Sequence, residues 1–210
     1  MRKALFTIVT LIALTINVSA QYKPFQFGLK VESGVAWQKF DSDDLYNGKT
    51  KMSFNWGFVG NFYFVENYGL STGFNVRYVN GEYSFEENEE DYTRTIKNQY
   101  LEIPITFMMR TESMNDLRIF GNIGYGLGIC INKELKNFDI DDKEVDIESD
   151  RFSKLRHAFI LKLGVEYDVF KSSCLTFAVV YNNNFRNIYS KNASHDVKLN
   201  NLCLEIGFIF

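Results

Sequence analysis

The sequence predicts an all-β fold, an eight-stranded antiparallel up-and-down transmembrane β-barrel, and three observations carry that prediction. Eight segments alternate apolar with polar or small residues. The connections between them alternate short with long. The apolar residues are too many and too bulky to fit inside a barrel of that size.

The segments run in order along the chain. FQFGLKVESGVAW sets Phe25, Phe27, Leu29, Val31, Val35 and Trp37 against Gln26, Gly28, Lys30, Glu32 and Gly34. MSFNWGFVGNFYF sets Met52, Phe54, Trp56, Phe58, Phe62 and Phe64 against Ser53, Asn55, Gly57, Asn61 and Tyr63. LSTGFNVRYV divides into Leu70, Phe74, Val76 and Tyr78 opposite Ser71, Gly73, Asn75 and Arg77. The fourth, YLEIPITFMMR, puts Leu101, Ile103, Ile105, Phe107 and Met109 on one face, with Glu102 and Pro104 together on the other. Pro104 removes a ladder hydrogen bond, so a local bulge or bend is expected there.

LRIFGNIGYGLGICI places Leu117, Ile119, Ile123, Tyr125, Leu127, Ile129 and Ile131 opposite Arg118, Asn122, Gly124, Gly126 and Gly128. HAFILKLGVEYDV places Phe159, Leu161, Leu163, Val165, Tyr167 and Val169 opposite Lys162, Gly164, Glu166 and Asp168. The seventh segment, Cys174 to Phe185, carries Leu175, Phe177, Val179 and Tyr181 on its apolar face. The eighth, LCLEIGFIF, sets Leu202, Leu204, Ile206, Phe208 and Phe210 against Cys203, Glu205 and Gly207. ENYG, TESMND and FKSS are short turns. Residues 38–51, 81–96, 133–156 and 186–198 read as long polar loops. In membrane barrels the short turns face the periplasm, so both termini are expected on that side and the long loops outside the cell.

Volume decides which face meets lipid. The apolar sets hold about forty large side chains, whereas a comparable packed barrel core holds about twelve. A soluble two-sheet sandwich would need Lys, Glu and Thr on its outer faces, and the polar set here is rich in Gly and Asn instead. The apolar set therefore points outward. The lumen receives Lys30, Glu32, Arg77, Glu102, Lys162, Glu166 and Glu205, whose charges nearly cancel, as buried ions must. Glycines between them make room for the long charged chains. Trp37, Tyr78 and Tyr181 lie toward the loop rim and Phe25, Tyr167 and Phe210 toward the turn rim, as interfacial girdles require. Tyr125, in mid-strand, does not fit that scheme.

Residues 1–20 have a basic start at Arg2 and Lys3, an apolar run from Ala4 to Val18, and small residues at Ser19 and Ala20. That is the pattern of a signal peptide cut before a barrel domain of residues 21–210. The whole chain carries a net charge of −3. Without Arg2 and Lys3, 21 basic residues stand against 26 acidic ones, for −5. No basic run or stripe exists, which excludes nucleic acid as a partner. Three cysteines, Cys130, Cys174 and Cys203, form no disulfide framework and no zinc spacing, although a Cys130–Cys203 bridge stays open.

The run Tyr100-Leu101-Glu102-Ile103-Pro104-Ile105, in an eight-stranded chain ending on Phe210, resembles the PorT-like outer-membrane β-barrel family of Bacteroidetes-type bacteria. The resemblance implies a small barrel of the bacterial outer membrane, one named member of which is linked to a protein secretion system. The alternating end Leu204, Ile206, Phe208 and Phe210 resembles the C-terminal signal that such barrels present to their insertion machinery.

Three kinds of chemistry are weighed against this architecture. A lipid A- or phospholipid-modifying enzyme would need a nucleophile and base near the lipid-facing rim, and the chain has two histidines, His157 near Ser153 and His195 between Ser194 and Asp196. Adjacent residues cannot form a triad, because their side chains diverge. The acidic runs with Glu86, Glu87, Glu89, Glu90 and Asp91, and with Asp139, Asp141, Asp142, Asp146 and Asp150, lack the calcium-loop pattern and read as solvated loops. An eight-stranded lumen with mid-depth charges of both signs is closed to general transport. The expectation is a monomeric, non-enzymatic barrel without cofactor or metal. Its partners would be outer-membrane lipid, lipopolysaccharide and the insertion machinery, with a role as a secretion subunit as an alternative.

Overall fold

Strands account for nearly all of residues 23–40, 45–87, 90–138, 144–145, 153–170, 172–185 and 197–210, the parts of the chain that the computed structural model describes. They are β1 (Phe25–Phe40), β2 (Leu45–Lys49), β3 (Lys51–Val65), β4 (Tyr68–Glu87), β5 (Glu90–Arg110), β6 (Leu117–Phe138), β7 (Glu144–Val145), β8 (Leu155–Phe170), β9 (Ser173–Asn184) and β10 (Val197–Ile209). The eight long strands form one closed antiparallel ladder: β1-β3-β4-β5-β6-β8-β9-β10, with β10 returning to β1 over Gly28↔Ile209 to Phe40↔Val197. Closure leaves no strand edge within the wall, the condition for a sheet to stand in hydrocarbon. The short β2 and β7 pair with β4 and β6 on the loop rim.

Burial is inverted relative to a water-soluble domain. Leu163 is 64% exposed and Leu204 67%, whereas Arg77 is 1% exposed and Glu102 0%. The eight long strands keep the period-two division where their side chains are described, because one closed sheet gives each side chain only an outer or a lumen position. The lumen is not polar throughout. Tyr63, Met108, Phe120 and Ala178 cluster toward the turn end, beside Val59, Cys174 and Ile209. Ala36, Val79, Ile96 and Leu199 are buried toward the loop end. Lys30, Glu32, Arg77, Glu102, Lys162 and Glu205 lie between these two apolar groups, whereas Glu166 and Arg110 lie toward the turn end and Arg94 toward the loop rim.

Three local features depart from expectation. Residues 81–87 and 90–96, expected as loop, continue the β4–β5 ladder up to Glu87↔Glu90, and β6 continues past Ile131 to Phe138. Beyond the apolar band both strand faces can carry polar groups, so no alternation marks those stretches. The bulge expected at Pro104 is absent: the register on either side, Thr72↔Ile105 and Asn75↔Glu102, is unshifted. Pro104 instead sits in a gap of the β4 ladder, opposite Gly73, whose φ of 149° is open chiefly to glycine. Thr72 Oγ1 donates to the Pro104 carbonyl at 2.8 Å across that gap. The β5–β6 bulge falls elsewhere, at Ile131, between Gln99↔Asn132 and Tyr100↔Cys130.

The turn between β5 and β6 closes on Asn115 and Asp116, both with positive φ (53° and 64°), while Met114 and Leu117 exchange backbone bonds of 2.8 and 3.2 Å. Two central residues with positive φ make a type I′ hairpin turn, for which Asn and Asp are among the few suitable side chains.

Leu163 lies midway along β8 on the outer face, so Leu163→Arg is expected to destabilise the barrel by about 2–4 kcal/mol in lipid vesicles, read by urea titration of tryptophan fluorescence. Unchanged stability would place this face against protein or water.

Candidate functional site: a charged chain across the lumen

Register brings two carboxylates face to face. Glu32 of β1 pairs directly with Glu205 of β10, an arrangement that like charges make unfavourable. Lys30, one lumen position along β1, corrects it by donating to Glu32 Oε1 at 2.8 Å and to Glu205 Oε2 at 3.0 Å. The other oxygen of each carboxylate reaches further around the barrel. Glu205 Oε1 accepts from Lys162 of β8 at 2.8 Å, and Glu32 Oε2 accepts from Asn55 of β3 at 2.8 Å and from Arg77 of β4 at 3.3 Å.

Arg77 carries the chain to β5. Its Nε donates to Glu102 Oε1 at 3.2 Å, and Nη2 lies 3.1 Å from the same oxygen. Glu102 Oε2 accepts from Nη1 of Arg156, which lies on β8, two strands away. Arg156 reaches across β6 because β6 has no side chains in its path. A Cβ on Gly128 would stand 3.1 Å from Arg156 Cβ, and one on Gly126 would stand 3.2 Å from Glu102 Cδ. The result is one alternating chain, Arg156–Glu102–Arg77–Glu32–Lys30–Glu205–Lys162. Each carboxylate spends both oxygens on different partners, which offsets the desolvation of all three.

A second group lies toward the turn end. Arg110 Nη1 donates to the Tyr63 hydroxyl at 3.0 Å and stands 3.5 Å from Glu166 Oε2, while Arg118 Nη1 lies 2.7 Å from both oxygens of Asp168. Arg110, Arg118 and Asp168 border a basin of about 430 Å³ open at the turn rim, lined also by Lys23, Glu66 and Cys174. Deeper in, voids of about 20 and 10 Å³ border Lys30 and Lys162, each no larger than one water needs.

All seven charged residues expected in the lumen face it, and six of them join the chain; Glu166 pairs separately with Arg110. Arg156, the seventh member of the chain, lies in the stretch read as loop, and Arg110 at the last position of a strand. Trp37 and Tyr181 stack with centroids 6.3 Å apart, Gln99 donates to the Tyr78 hydroxyl at 3.1 Å, and Tyr167 is exposed near the turn rim. Tyr125, the misfit, hydrogen-bonds through its hydroxyl to His157 Nδ1, nearer the loop rim. Ser153 donates to the Leu155 carbonyl and is not the partner of His157. Leu204 and Ile206 face outward, and Phe210 packs on Phe27 at 4.9 Å and donates its N–H to the Phe27 carbonyl at 2.8 Å.

Cys130, Cys174 and Cys203 are free thiols. His195, the signal segment 1–20 and most of the second acidic run, including Asp139, Asp141, Asp142, Asp146 and Asp150, lie outside the described residues. Among the described residues no group of acidic, His and Cys side chains is arranged to hold a metal.

Residues 16–190 match the family model described as outer membrane protein beta-barrel domain. The chain belongs to that family. It is a barrel of the bacterial outer membrane. No curated protein matches it in sequence. Among solved structures it is similar to the outer membrane protein OprG of Pseudomonas aeruginosa (12% identity, 89% of this chain and 95% of that one, TM-score 0.51). It also aligns with Ail, the attachment invasion locus protein of Yersinia pestis (17% identity, 90% and 100%, TM-score 0.44), and with the outer membrane protease OmpT of Escherichia coli (11%, 93% and 99%, TM-score 0.46). At these identities the likeness speaks to fold alone.

Glu102→Gln removes the charge shared by Arg77 and Arg156 while keeping shape. It is expected to cost the outer-membrane barrel about 3–5 kcal/mol in urea unfolding from lipid vesicles. Gly128→Leu should cost about 1–3 kcal/mol by blocking the path of Arg156. A neutral Glu102→Gln would mean that the chain contributes nothing to stability.

Proposed function

We propose that this outer-membrane barrel is a non-enzymatic, monomeric protein with a plugged lumen and a structural or surface-binding role. The observation that carries the reading is the continuous ion chain between two apolar layers, beside voids of one-water size. A solute path would have to break several buried ion pairs and wet both apolar layers. Interaction with macromolecular partners is thereby left to the outer wall and the rims. In this reading residues 1–20 are the export signal cut after Ala20, the termini lie in the periplasm and the long loops outside the cell. Outer-membrane lipid and lipopolysaccharide surround the wall, and the end Leu204, Ile206, Phe208 and Phe210 engages the insertion machinery. The PorT-like motif around Glu102 extends the reading to a subunit of a secretion assembly, which co-purification from the native envelope would test.

The enzyme reading retains one observation, the Tyr125–His157 hydrogen bond on the outer wall near the loop rim. Within a girdle, a Tyr–His pair satisfies two polar groups at the lipid boundary, and the Ser153 hydroxyl is committed elsewhere. His157→Ala and His195→Ala are expected to leave the lipid A mass profile of the envelope unchanged. In planar bilayers the folded barrel is expected to show no steady conductance. A steady open channel would overturn the plugged lumen, and an altered lipid profile would overturn the non-enzymatic reading.

A further inference from the structure

The lumen chain ends on a guanidinium whose two-pronged edge is met by no group among the described residues. Arg156 is 2% exposed, and its Nη1 is committed to Glu102, yet Nε and Nη2 have no hydrogen-bond partner among the described residues. Those two N–H groups lie along one side of the planar group, the edge that takes a two-oxygen anion through parallel bonds.

The charge count points to the same place. The chain contains four cations, Arg156, Arg77, Lys30 and Lys162, against three carboxylates, Glu102, Glu32 and Glu205, and so keeps one positive charge in excess. At its other end Lys162 holds Glu205 at 2.8 Å and lies 5.3 Å from the Phe120 ring centroid. Arg156 also lies by a ring, 6.0 Å from the Tyr100 centroid, but its two N–H groups unmatched among the described residues place the excess on its side. Further polar groups in that half of the barrel await a partner. Asn98, on the lumen face of β5 toward the loop rim from Glu102, and Asn182 of β9 are both enclosed, and among the described residues neither amide has a partner for its oxygen or its nitrogen. Native interiors seldom leave so many buried polar atoms unmatched.

We propose that the loop-end half of the lumen binds one small monocarboxylate on the Nε/Nη2 edge of Arg156, bringing the ion chain to neutrality. A planar two-oxygen anion fits the fork, whereas a spherical halide takes it less well and a divalent phosphate would reverse the charge imbalance. The site needs an entry for a small anion from the loop rim past Ala36, Val79, Ile96 and Leu199, but neither a lumen open from end to end nor any enzymatic activity, so it is compatible with the plugged barrel proposed above.

The test is thermal unfolding of the full barrel in detergent across a sodium acetate series, held at constant ionic strength with sodium chloride. The native protein and Glu166→Gln, whose lost charge lies at the turn end, are expected to show a saturable rise in Tm. Arg156→Lys, which keeps the charge and loses the fork, should bind acetate at least about tenfold more weakly, the worth of one charge-assisted bond. Arg156→Gln should show no acetate response. If Arg156→Gln does not fold, the native and Arg156→Lys titrations still decide. Carbon-13 acetate exchange by NMR, with and without the Arg156→Lys change, provides a readout that stability alone does not move. An equal acetate response in Arg156→Lys, no saturable response in the native protein, or an ordered water alone on that edge in a high-resolution structure would overturn the proposal.

Discussion

Glu102 between Arg77 and Arg156 is the contact on which the interior of this barrel depends. Its side chain is sealed from solvent at a depth where the wall outside is hydrocarbon, so its charge has to be met by protein. Two guanidiniums meet it, one on each oxygen, and this ties β4, β5 and β8 together across the lumen. From Arg77 the demand passes to Glu32, then through Lys30 to Glu205 and Lys162. Each ion placed in the lumen requires the next, and the closed chain of strands makes it possible for every one to be reached.

That reach is a property of missing side chains as much as of those present. Arg156 and Glu102 are on strands separated by β6, and Gly126 and Gly128 clear the wall between them. The same β6 stretch, GNIGYGLG, is bulky on its outer face, with Ile123, Tyr125 and Leu127. One strand thus presents a thick surface to lipid and almost no thickness to the lumen. The ladder supports this alternation because the backbone bonds do not depend on which side chains flank them.

The wall was legible in the sequence because a single physical rule writes it: lipid on one side and protein on the other, repeated every second residue. The lumen positions of Lys30, Glu32, Arg77, Glu102, Lys162, Glu166 and Glu205 followed from that rule. The partners did not. Arg156 stands where alternation fades into a polar stretch, and its match with Glu102 depends on shear around the barrel that no local pattern records. Tyr125 is a similar case, since its hydroxyl finds His157 only once β6 and β8 are placed side by side. Pro104 announced a broken ladder bond, but only the opposing Gly73 determines that the break is a gap and not a bulge.

The apolar layers at Tyr63, Met108, Phe120 and Ala178 and at Ala36, Val79, Ile96 and Leu199 have a consequence for the charges between them. Water reaching the ion chain from either rim would screen the pairs and ease their replacement by solvation, loosening the link between strands. With apolar side chains at both ends, the pairs stay at low dielectric and keep their strength, and the chain acts as a rigid strut between opposite walls. The β4–β5–β6 sheet that rises past the apolar band continues the strands that Glu102, Arg77 and Arg156 tie together below it.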